Sequence, residues 1–299
     1  MKQLYPSIGL GKLCRLFGKT RQAFYDHSWR GNDNQFQEAI IIDLVKRVRQ
    51  SLPKVGTLKL IHILKDDLAA HDISIGRDSF FALLKKHNLL IKRKKRYAVT
   101  TNSNHPYKKW PDMVKDRPIQ STEQVWVSDI TYLRTKGNFI YLSLITDAYS
   151  RKIVGYHLSQ NLKVQGCLIS LNKAMSSRIT NNPLIHHSDR GIQYCCGPYV
   201  STLLQNNIAI SMTQDGSPYD NALAERINGI LKTELNLEKT FNSYKEAIPI
   251  VHQAIDAYNR LRPHMSISNL TPDKAHCSTL KLQKKWKKKQ YRKANAVLL

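Results

Sequence analysis

The chain is poor in cysteine and has no long apolar segment. Its five cysteines are odd in number and show no CxxC spacing, which argues against a disulfide-stapled secreted fold and a four-ligand zinc site. No apolar run approaches the roughly 18–20 residues that span a bilayer, so we expect no membrane partner. Residues 1–18 lack the continuous apolar core and the cleavage site of a secretory signal.

Acidic residues are also scarce. The 299 residues include 22 Asp and Glu against 47 Lys and Arg, a net charge of +25 that favours a polyanionic partner over the substrate of an ordinary metabolic enzyme. Residues 1–121 carry 24 basic and 10 acidic side chains, residues 122–278 carry 15 and 12, and residues 279–299 carry 8 and none. This distribution predicts a globular domain between two cationic arms.

Two runs of lysine and arginine flank that domain. Such a run is either a solvated, mobile segment or a surface for nucleic acid, and the lack of acidic counter-runs favours nucleic acid. We therefore expect DNA contacts from Lys92, Arg93, Lys94, Lys95 and Arg96 in the first run, and from Lys284, Lys285, Lys287 and Lys288 in the basic tail, residues 279–299.

Residues 1–50 predict a small helical region. Two short helices meet at Gly18, and Thr20 caps the second, which carries Arg21. A longer helix is expected over residues 38–50. The two short helices suit a DNA-binding helix-turn-helix, although plain helical packing explains them almost as well.

Residues 51–96 predict a second helical region of the same kind. Apolar spacing indicates one helix over 58–68 and another that begins near Arg77 and carries further basic residues. This pair is also compatible with a DNA-binding helix-turn-helix. The periodicity then fades, so residues 97–121 are expected to form a basic linker.

Residues 122–278 have the pattern of an α/β domain. Three β-rich runs joined by short turns come first, and helices then alternate with two further strands. This is the order of a ribonuclease-H-like α/β sandwich, preceded here by the small all-α regions. The predicted strands are 125–133, 139–146, 152–157, 183–188 and 208–212, and the predicted helices are 164–178, 198–205, 221–236 and 244–260.

Two carboxylates occupy unusual positions in the predicted sheet. Asp129 interrupts the first strand, where a carboxylate is disfavoured unless something binds it. Asp189 directly follows the fourth strand, at the end of the sheet where α/β proteins commonly bind ligands. In a ribonuclease-H-like sheet these strands are neighbours, so the two carboxylates would repel each other unless cations lie between them. Hard oxygen ligands with open positions suit Mg²⁺ or Mn²⁺.

Glu225 lies on a predicted helix and is the third candidate carboxylate. Lys232 follows seven residues later and returns to the same helix face. Either Glu225 binds a metal and Lys232 binds a phosphate, or the two side chains form a plain surface ion pair. Glu234 would face the opposite side of that helix. Asp147, the rival second carboxylate, has the setting of a turn-forming residue.

Three further residues lie close to these carboxylates in the sequence. Asn221, one turn before Glu225, either orients the site or caps the helix. Tyr132 follows Asp129 and Tyr194 follows Asp189 within a few residues, and both tyrosines are interpreted as packing or DNA-stacking residues. A phosphodiester transfer in which water and then a 3′-hydroxyl are the nucleophiles needs no tyrosine nucleophile.

Four motifs in order carry a resemblance to a known family. They are WVSDITY at 126–132, HHSDRGIQY at 186–194, DGSPYDNALAE at 215–225 and YNRLRPHMSISNLTP at 258–272. Together with the 35 residues between Asp189 and Glu225, they resemble the D,D-35-E transposases and retroviral-type integrases. They are most similar to the second-reading-frame transposases of bacterial insertion sequences of the IS-three type.

The resemblance implies a mechanism and a set of partners. Asp129, Asp189 and Glu225 would bind two Mg²⁺ or Mn²⁺ ions, and Lys232 would contact the terminal DNA. The enzyme would cleave the element ends and join the freed 3′-hydroxyl to DNA. Its partners would be the terminal inverted repeats and the target duplex, further copies of itself on DNA, and an upstream-frame protein as partner or fusion. Such a protein acts in the bacterial cytoplasm, at the nucleoid.

Two other functions remain open from the residues themselves. One is a ribonuclease-H-like nuclease that cleaves without joining, against which the cationic arms and Lys232 argue. The other is a non-catalytic DNA-binding regulator that uses the N-terminal helices, against which the presence of all three carboxylates argues. A strand-transfer assay separates the first from a transposase, and an Asp129→Asn variant separates the second.

Overall fold

The computed structural model describes residues 7–91, 106–115, 117–214 and 221–283, with side chains for all of these except 26–33. The chain divides into two compact units, residues 1–50 with 56–90 and residues 51–55 with 91–299. None of the helices in the described ranges has the length and hydropathy of a membrane span.

The first unit is helical throughout. Its core is built from buried leucines and Phe80, which lie at helical spacing on the shorter helices. Its helices are α1 (Leu10–Leu16), α2 (Arg21–Ser51, which extends one residue beyond the unit), α3 (Thr57–Ile63), α4 (Lys65–Ala70) and α5 (Arg77–Lys86).

The predicted turn between the first two helices is present. Gly18 takes a left-handed conformation with φ +61°, which glycine adopts without strain. The hydroxyl of Thr20 accepts a hydrogen bond from the amide of Ala23 at 3.0 Å, so Thr20 is the expected cap of α2.

Two helix predictions for this unit were wrong. The short helix after Thr20 and the helix over 38–50 are one continuous helix, α2, because Gly31 costs only about 1 kcal/mol within a helix and no proline interrupts the segment before Pro53. The helix predicted over 58–68 is instead broken at Leu64, whose ψ of 1° separates α3 from α4.

The second unit contains a central six-stranded sheet. The strands are β1 (Val125–Thr135), β2 (Phe139–Asp147), β3 (Ile153–Ser159), β4 (Ile185–Ser188), β5 (Ala209–Met212) and β6 (Thr240–Phe241). The path of the sheet has the order β3-β2-β1-β4-β5. β1, β2 and β3 pair antiparallel, β4 and β5 run parallel to β1, and β6 pairs with β1 outside this path. This confirms the predicted ribonuclease-H-like α/β fold.

Helices cover both faces of this sheet. The helices are α6 (Val164–Ser176), α7 (Ile192–Cys195), α8 (Gly197–Gln205), α9 (Ala222–Thr233), α10 (Tyr244–Arg260) and α11 (Pro272–His276), with a 3₁₀ turn at Met265–Ile267. Strand residues alternate between the faces, so Trp126 and Ile145 pack in the apolar core that includes α6 and α8, whereas Val125 and Val127 pack against Ala224 of α9.

A buried polar network fixes the entry to β1. Glu123 is fully buried, and its carboxylate accepts hydrogen bonds from the amides of Ile179 and Thr180 at 3.0 and 2.8 Å. Its own amide donates to Asp147 at 2.7 Å, and Asp147 also accepts the amide of Ser150 at 2.7 Å. Asp147 is therefore the turn-forming residue that the sequence predicts, and it belongs to the framework of the domain.

Gly155 is required where α6 crosses β3. A Cβ at this position would overlap the carbonyl oxygen of Ser170 and approach the Cβ of Ala174 at 2.9 Å. We expect Gly155→Ala to destabilise the domain by about 2–3 kcal/mol, because the helix would have to move away from the sheet. Urea denaturation followed by circular dichroism measures this change.

Gly137 provides the matched control. It lies in the β1–β2 turn, and a Cβ there meets no atom within 4 Å. Gly137→Ala should change the free energy of unfolding by less than about 0.5 kcal/mol. Equal stability of the two variants would show that α6 does not need this close approach.

Candidate active site

The pairing of β1 with β4 brings two of the predicted carboxylates together. The strands are parallel, with Val127 opposite His187. Two residues further along the same register, Asp129 stands beside Asp189, which follows the end of β4. Because paired strands lie about 4.8 Å apart, the two carboxylates are neighbours at one edge of the sheet.

The residues before Asp189 hold these strands in place. The ring of His186 hydrogen-bonds the hydroxyls of Ser128 and Tyr199 at 2.6 and 2.9 Å, and His187 bonds that of Ser211 at 2.9 Å. Burial lowers the pKa of His186 to about 3, so its ring is neutral. His186 thus links β4 to β1 and α8, and His187 links β4 to β5.

Asp189 is oriented by the turn that follows it. The amide of Gly191 donates a hydrogen bond to Oδ1 of Asp189 at 3.0 Å. A Cβ on Gly191 would lie 3.0 Å from the same oxygen, so a side chain there would press on the carboxylate. The DRG sequence therefore provides both a candidate metal ligand, Asp189, and the residue that orients its carboxylate, Gly191.

Helix α9 carries Glu225 to the same edge of the sheet. Nδ2 of Asn228 donates a hydrogen bond to Oδ2 of Asp129 at 2.6 Å, and Nδ2 of Asn221 donates to the carbonyl of Ser128 at 3.1 Å. Glu225 lies three residues before Asn228 and shares its helix face. Asn221 therefore anchors the start of α9 to β1, which is the orienting role, and its side chain does not cap the helix.

The electrostatics of Asp129 reflect this crowding. Burial first, and then the neighbouring carboxylates of Asp189 and Glu225, together raise the pKa of Asp129 to about 7 against the lowering effect of hydrogen bonds from Ile130 and Asn228. The other two predicted carboxylates therefore both act on Asp129. Negative charge concentrated in this way is stabilised by bound cations.

The donor set fits a divalent cation such as Mg²⁺ or Mn²⁺. Carboxylate oxygens are the ligands that these hard cations prefer. The carbonyl oxygen of Asn228 is buried beside Asp129 and has no hydrogen-bond partner among the described residues, so it also needs a donor or a cation. Within the described ranges, however, no group of three or more His, Cys, Asp and Glu side chains is arranged so that it could hold a metal ion, and Glu225 is exposed.

Lys232 lies on the last turn of α9, two turns beyond Glu225. At 3.6 residues per turn the two side chains share one stripe with Asn228. Lys232 is half-buried, which places part of its aliphatic stem against the protein. The alternative carboxylate on this helix, Glu234, accepts hydrogen bonds from Arg262 at 2.8 and 2.9 Å and is part of the framework.

The other predicted DNA contacts lie elsewhere in the chain. Arg21 and Arg77 are exposed on helices of the first unit, and Arg77 forms an ion pair with Asp78 at 3.0 Å. Two groups of predicted contacts fall outside the described residues. They are Lys92, Arg93, Lys94, Lys95 and Arg96, and Lys284, Lys285, Lys287 and Lys288.

The two tyrosines beside the motifs have different environments. Tyr194 is buried, packs edge-on against Tyr199 and has a pKa raised well above its ordinary value by burial, so it is a packing residue. Tyr132 is exposed on β1. Asn228 was not among the predicted site residues; its helical spacing from Glu225 and Lys232, on the same stripe, is the signal that could have identified it.

Family comparisons agree with this geometry. Two matches, each to a family described as "Integrase core domain", cover residues 120–218 and 206–272. The chain is 32% identical over 266 residues to the "Insertion element IS600 uncharacterized 31 kDa protein" of Shigella sonnei, covering 87% of this chain and 96% of the relative. It is 27% identical over 267 residues to "Transposase InsF for insertion sequence IS3A" of Escherichia coli K12, covering 87% and 91%.

Solved structures with a similar fold include a viral integrase. The catalytic core domain of the HTLV-2 integrase, determined in complex with magnesium, matches with a TM-score of 0.42 and 19% sequence identity. The match covers 52% of this chain and 97% of that domain.

The hydrogen bond from Asn228 to Asp129 leads to a prediction about metal affinity. Asn228→Ala should weaken Mn²⁺ binding by about tenfold to a hundredfold, because Asp129 loses the partner that orients it. Isothermal titration calorimetry measures this affinity, and thermal unfolding checks that the variant is folded. Asn172→Ala, on the exposed face of α6, is the control; unchanged Mn²⁺ affinity in Asn228→Ala would remove Asn228 from the site.

Proposed function

Because this chain belongs to the family of IS3-type insertion-sequence transposases, we propose that Asp129, Asp189 and Glu225 are the catalytic carboxylates with which it cleaves and joins DNA. The observation that carries this proposal is the β1–β4 register, which sets Asp129 beside Asp189. Asn228 then fixes the helix that bears Glu225 against the same aspartate.

The proposed reaction is two successive displacements at phosphorus. Water first cleaves a phosphodiester at the element end and frees a 3′-hydroxyl, which then attacks a phosphodiester of the target and joins the two DNAs. Only the nucleophile changes, so one set of carboxylates serves both steps. When bound, two divalent cations would stabilise the charge on the attacking and leaving oxygens.

Individual residues of the chain have separate roles in the proposed reaction. Asp129, Asp189 and Glu225 would hold the cations, and Asn228 and Gly191 orient the two aspartates. Lys232 supplies a positive charge for a phosphate near the scissile bond. Tyr194 is buried and retains its proton, which argues against a covalent tyrosyl intermediate.

DNA affinity outside the site comes from the basic residues of the arms. The N-terminal helices with Arg21 and Arg77, the run 92–96 and the tail 279–299 would contact DNA, and the tail would neutralise phosphates without reading bases. Assembly of several copies on the terminal repeats, and an upstream-frame partner, are parts of the same proposal. The DNA substrate places this activity in the bacterial cytoplasm, at the nucleoid.

Three substitutions test the carboxylates. Asp129→Asn, Asp189→Asn and Glu225→Gln should each abolish cleavage and joining of element-end DNA in Mg²⁺, because each removes a charged oxygen ligand. Their affinity for duplex DNA should stay nearly intact, since other residues meet the phosphates. Gel-based cleavage and strand-transfer assays, with a filter-binding measurement, give both quantities.

Asp256→Asn is the matched control for these variants. Asp256 lies on the exposed side of α10 in an ion pair with Arg260 at 2.8 Å, so its loss should leave activity unchanged. Normal turnover in any of the three test variants would exclude that residue from the catalytic centre. Cleavage by the wild type without any joined product would favour the nuclease.

Lys232→Ala tests the phosphate contact. We expect end cleavage and joining to fall about tenfold to a hundredfold, as for a lost charge-assisted hydrogen bond of about 1–3 kcal/mol. Lys232→Arg should retain much of the activity because a phosphate oxygen accepts either cation. The affinity for duplex DNA of unrelated sequence, measured by competition, should barely change. An equal loss of affinity for element-end DNA and for unrelated DNA would instead assign Lys232 to the general cationic surface.

A further inference from the structure

The first seven residues of the fourth sequence motif, YNRLRPH at 258–264, tie two parts of the domain together. At the end of α10, the side chain of Asn259 accepts a hydrogen bond from the amide of Ile153 and donates one to its carbonyl, both at 3.0 Å. Two residues beyond α10, Arg262 pairs with Glu234, which directly follows the last turn of α9. The motif therefore connects β3 with the helix that carries the third candidate carboxylate.

The guanidinium of Arg262 is held in one orientation. Its Nε and Nη2 atoms donate hydrogen bonds to the two carboxylate oxygens of Glu234, at 2.9 and 2.8 Å. Its Nη1 lies 2.7 Å from Nε2 of His264, and because arginine has no acceptor, that ring nitrogen accepts the hydrogen bond. The ring of Tyr258 lies 6.0 Å from the guanidinium carbon. We call Arg262, Glu234 and His264 the α9 clamp.

Burial of this ion pair favours a role in geometry over a role in net stability. The side chain of Arg262 is only 3% exposed and that of Glu234 is 25% exposed. The cost of removing such charges from water largely offsets their attraction, so apolar side chains of similar size would stabilise the domain about as well. A two-point contact between a guanidinium and a carboxylate does, however, fix both distance and angle. The clamp is therefore suited to setting where α9 ends.

The clamp adds a fixed point at the end of α9 that lies far from the aspartates. Asn221 and Asn228 bind the first part of the helix to β1. Lys232 lies four residues beyond Asn228 and only two before Glu234. The amide of Glu234 donates to the carbonyl of Ile230 at 2.8 Å, so helical hydrogen bonding continues up to the clamp. The last turn, with Lys232, thus depends most on the clamp.

We propose that Arg262 is a positioning residue for DNA joining: through Glu234 it fixes the last turn of α9 and so holds Lys232 at its phosphate. The inference rests on the proposed function, which assigns that phosphate to Lys232. The turn that bears Glu225 has its own anchors on β1, so the clamp serves the phosphate contact and leaves metal binding to the asparagines.

A double-mutant cycle tests whether Arg262 acts through Lys232. Arg262→Gln should lower joining of element-end DNA about tenfold in the otherwise wild-type chain. In the Lys232→Ala background it should lower joining less than about twofold, because the cation that Arg262 positions is already absent. Arg262→Lys keeps the charge without the fork and should lose less than Arg262→Gln. Independent, multiplicative losses in the cycle would overturn the proposal.

Two measurements without DNA separate positioning from a general loosening of the domain. The Mn²⁺ affinity of Arg262→Gln, measured by calorimetry, should equal that of the wild type because Asn228 still orients Asp129. Backbone amides of residues 230–233 should exchange with deuterium about tenfold faster, and those of 226–228 at the wild-type rate. Unchanged exchange at 230–233 would show that the clamp does not hold the last turn of α9.

Asn259→Ala is the matched control. It removes two hydrogen bonds from the same motif, but those bonds lead to β3 and not to α9. Joining by the folded variant should equal that of the wild type, with thermal unfolding reporting the folded fraction of each variant. An equal loss of joining in Asn259→Ala and Arg262→Gln would assign the motif to stability alone.

Glu234→Gln provides a second route to the same test. It retains one carbonyl oxygen for Arg262 and replaces Arg262→Gln in the cycle if that variant does not fold. Unchanged joining in a folded clamp variant, while the wild type joins DNA, would overturn the positioning role alone. Absence of joining by the wild type would instead count against the proposed function itself.

Discussion

The parallel pairing of β1 with β4 is the interaction on which the rest of the site depends. Its register sets Asp129 beside Asp189, although 60 positions separate them in the sequence. Two repelling carboxylates are held at this edge because the strands behind them are fixed by buried hydrogen bonds of neutral His186 and by the network around Glu123. The domain thus concentrates negative charge at the position where, in the proposed mechanism, a catalytic cation would be bound.

Helix α9 positions Glu225 and Lys232 relative to Asp129 and Asp189. Its apolar side packs Ala224 against Val125 and Val127, and its polar stripe faces the aspartates. Because a helix spaces its residues rigidly, this packing and the hydrogen bonds of Asn221 and Asn228 to β1 set the positions of both Glu225 and Lys232. In the proposed mechanism, the docking of α9 on β1 therefore arranges both the metal ligand and the phosphate contact.

The sequence alone predicted much of this arrangement. Alternating apolar residues identified the five main strands, and a carboxylate inside a strand and another at a strand end pointed to the site. Asn228 was missed because its partner is 99 residues away and depends on how α9 docks. The continuous helix α2 was missed because its polar middle, 26–37, has little apolar periodicity. The two-residue strand β6 exists only through its pairing with β1.

The central claim is that Asp189 acts together with Asp129 as a direct metal ligand in DNA joining. Replacing Asp189 by cysteine and measuring strand joining in Mg²⁺ and in Mn²⁺ tests it most directly, because a thiolate binds the softer Mn²⁺ better than Mg²⁺. We expect the Asp189→Cys variant to be inactive in Mg²⁺ and to regain joining in Mn²⁺. Wild-type joining by this variant in Mg²⁺ would contradict the account.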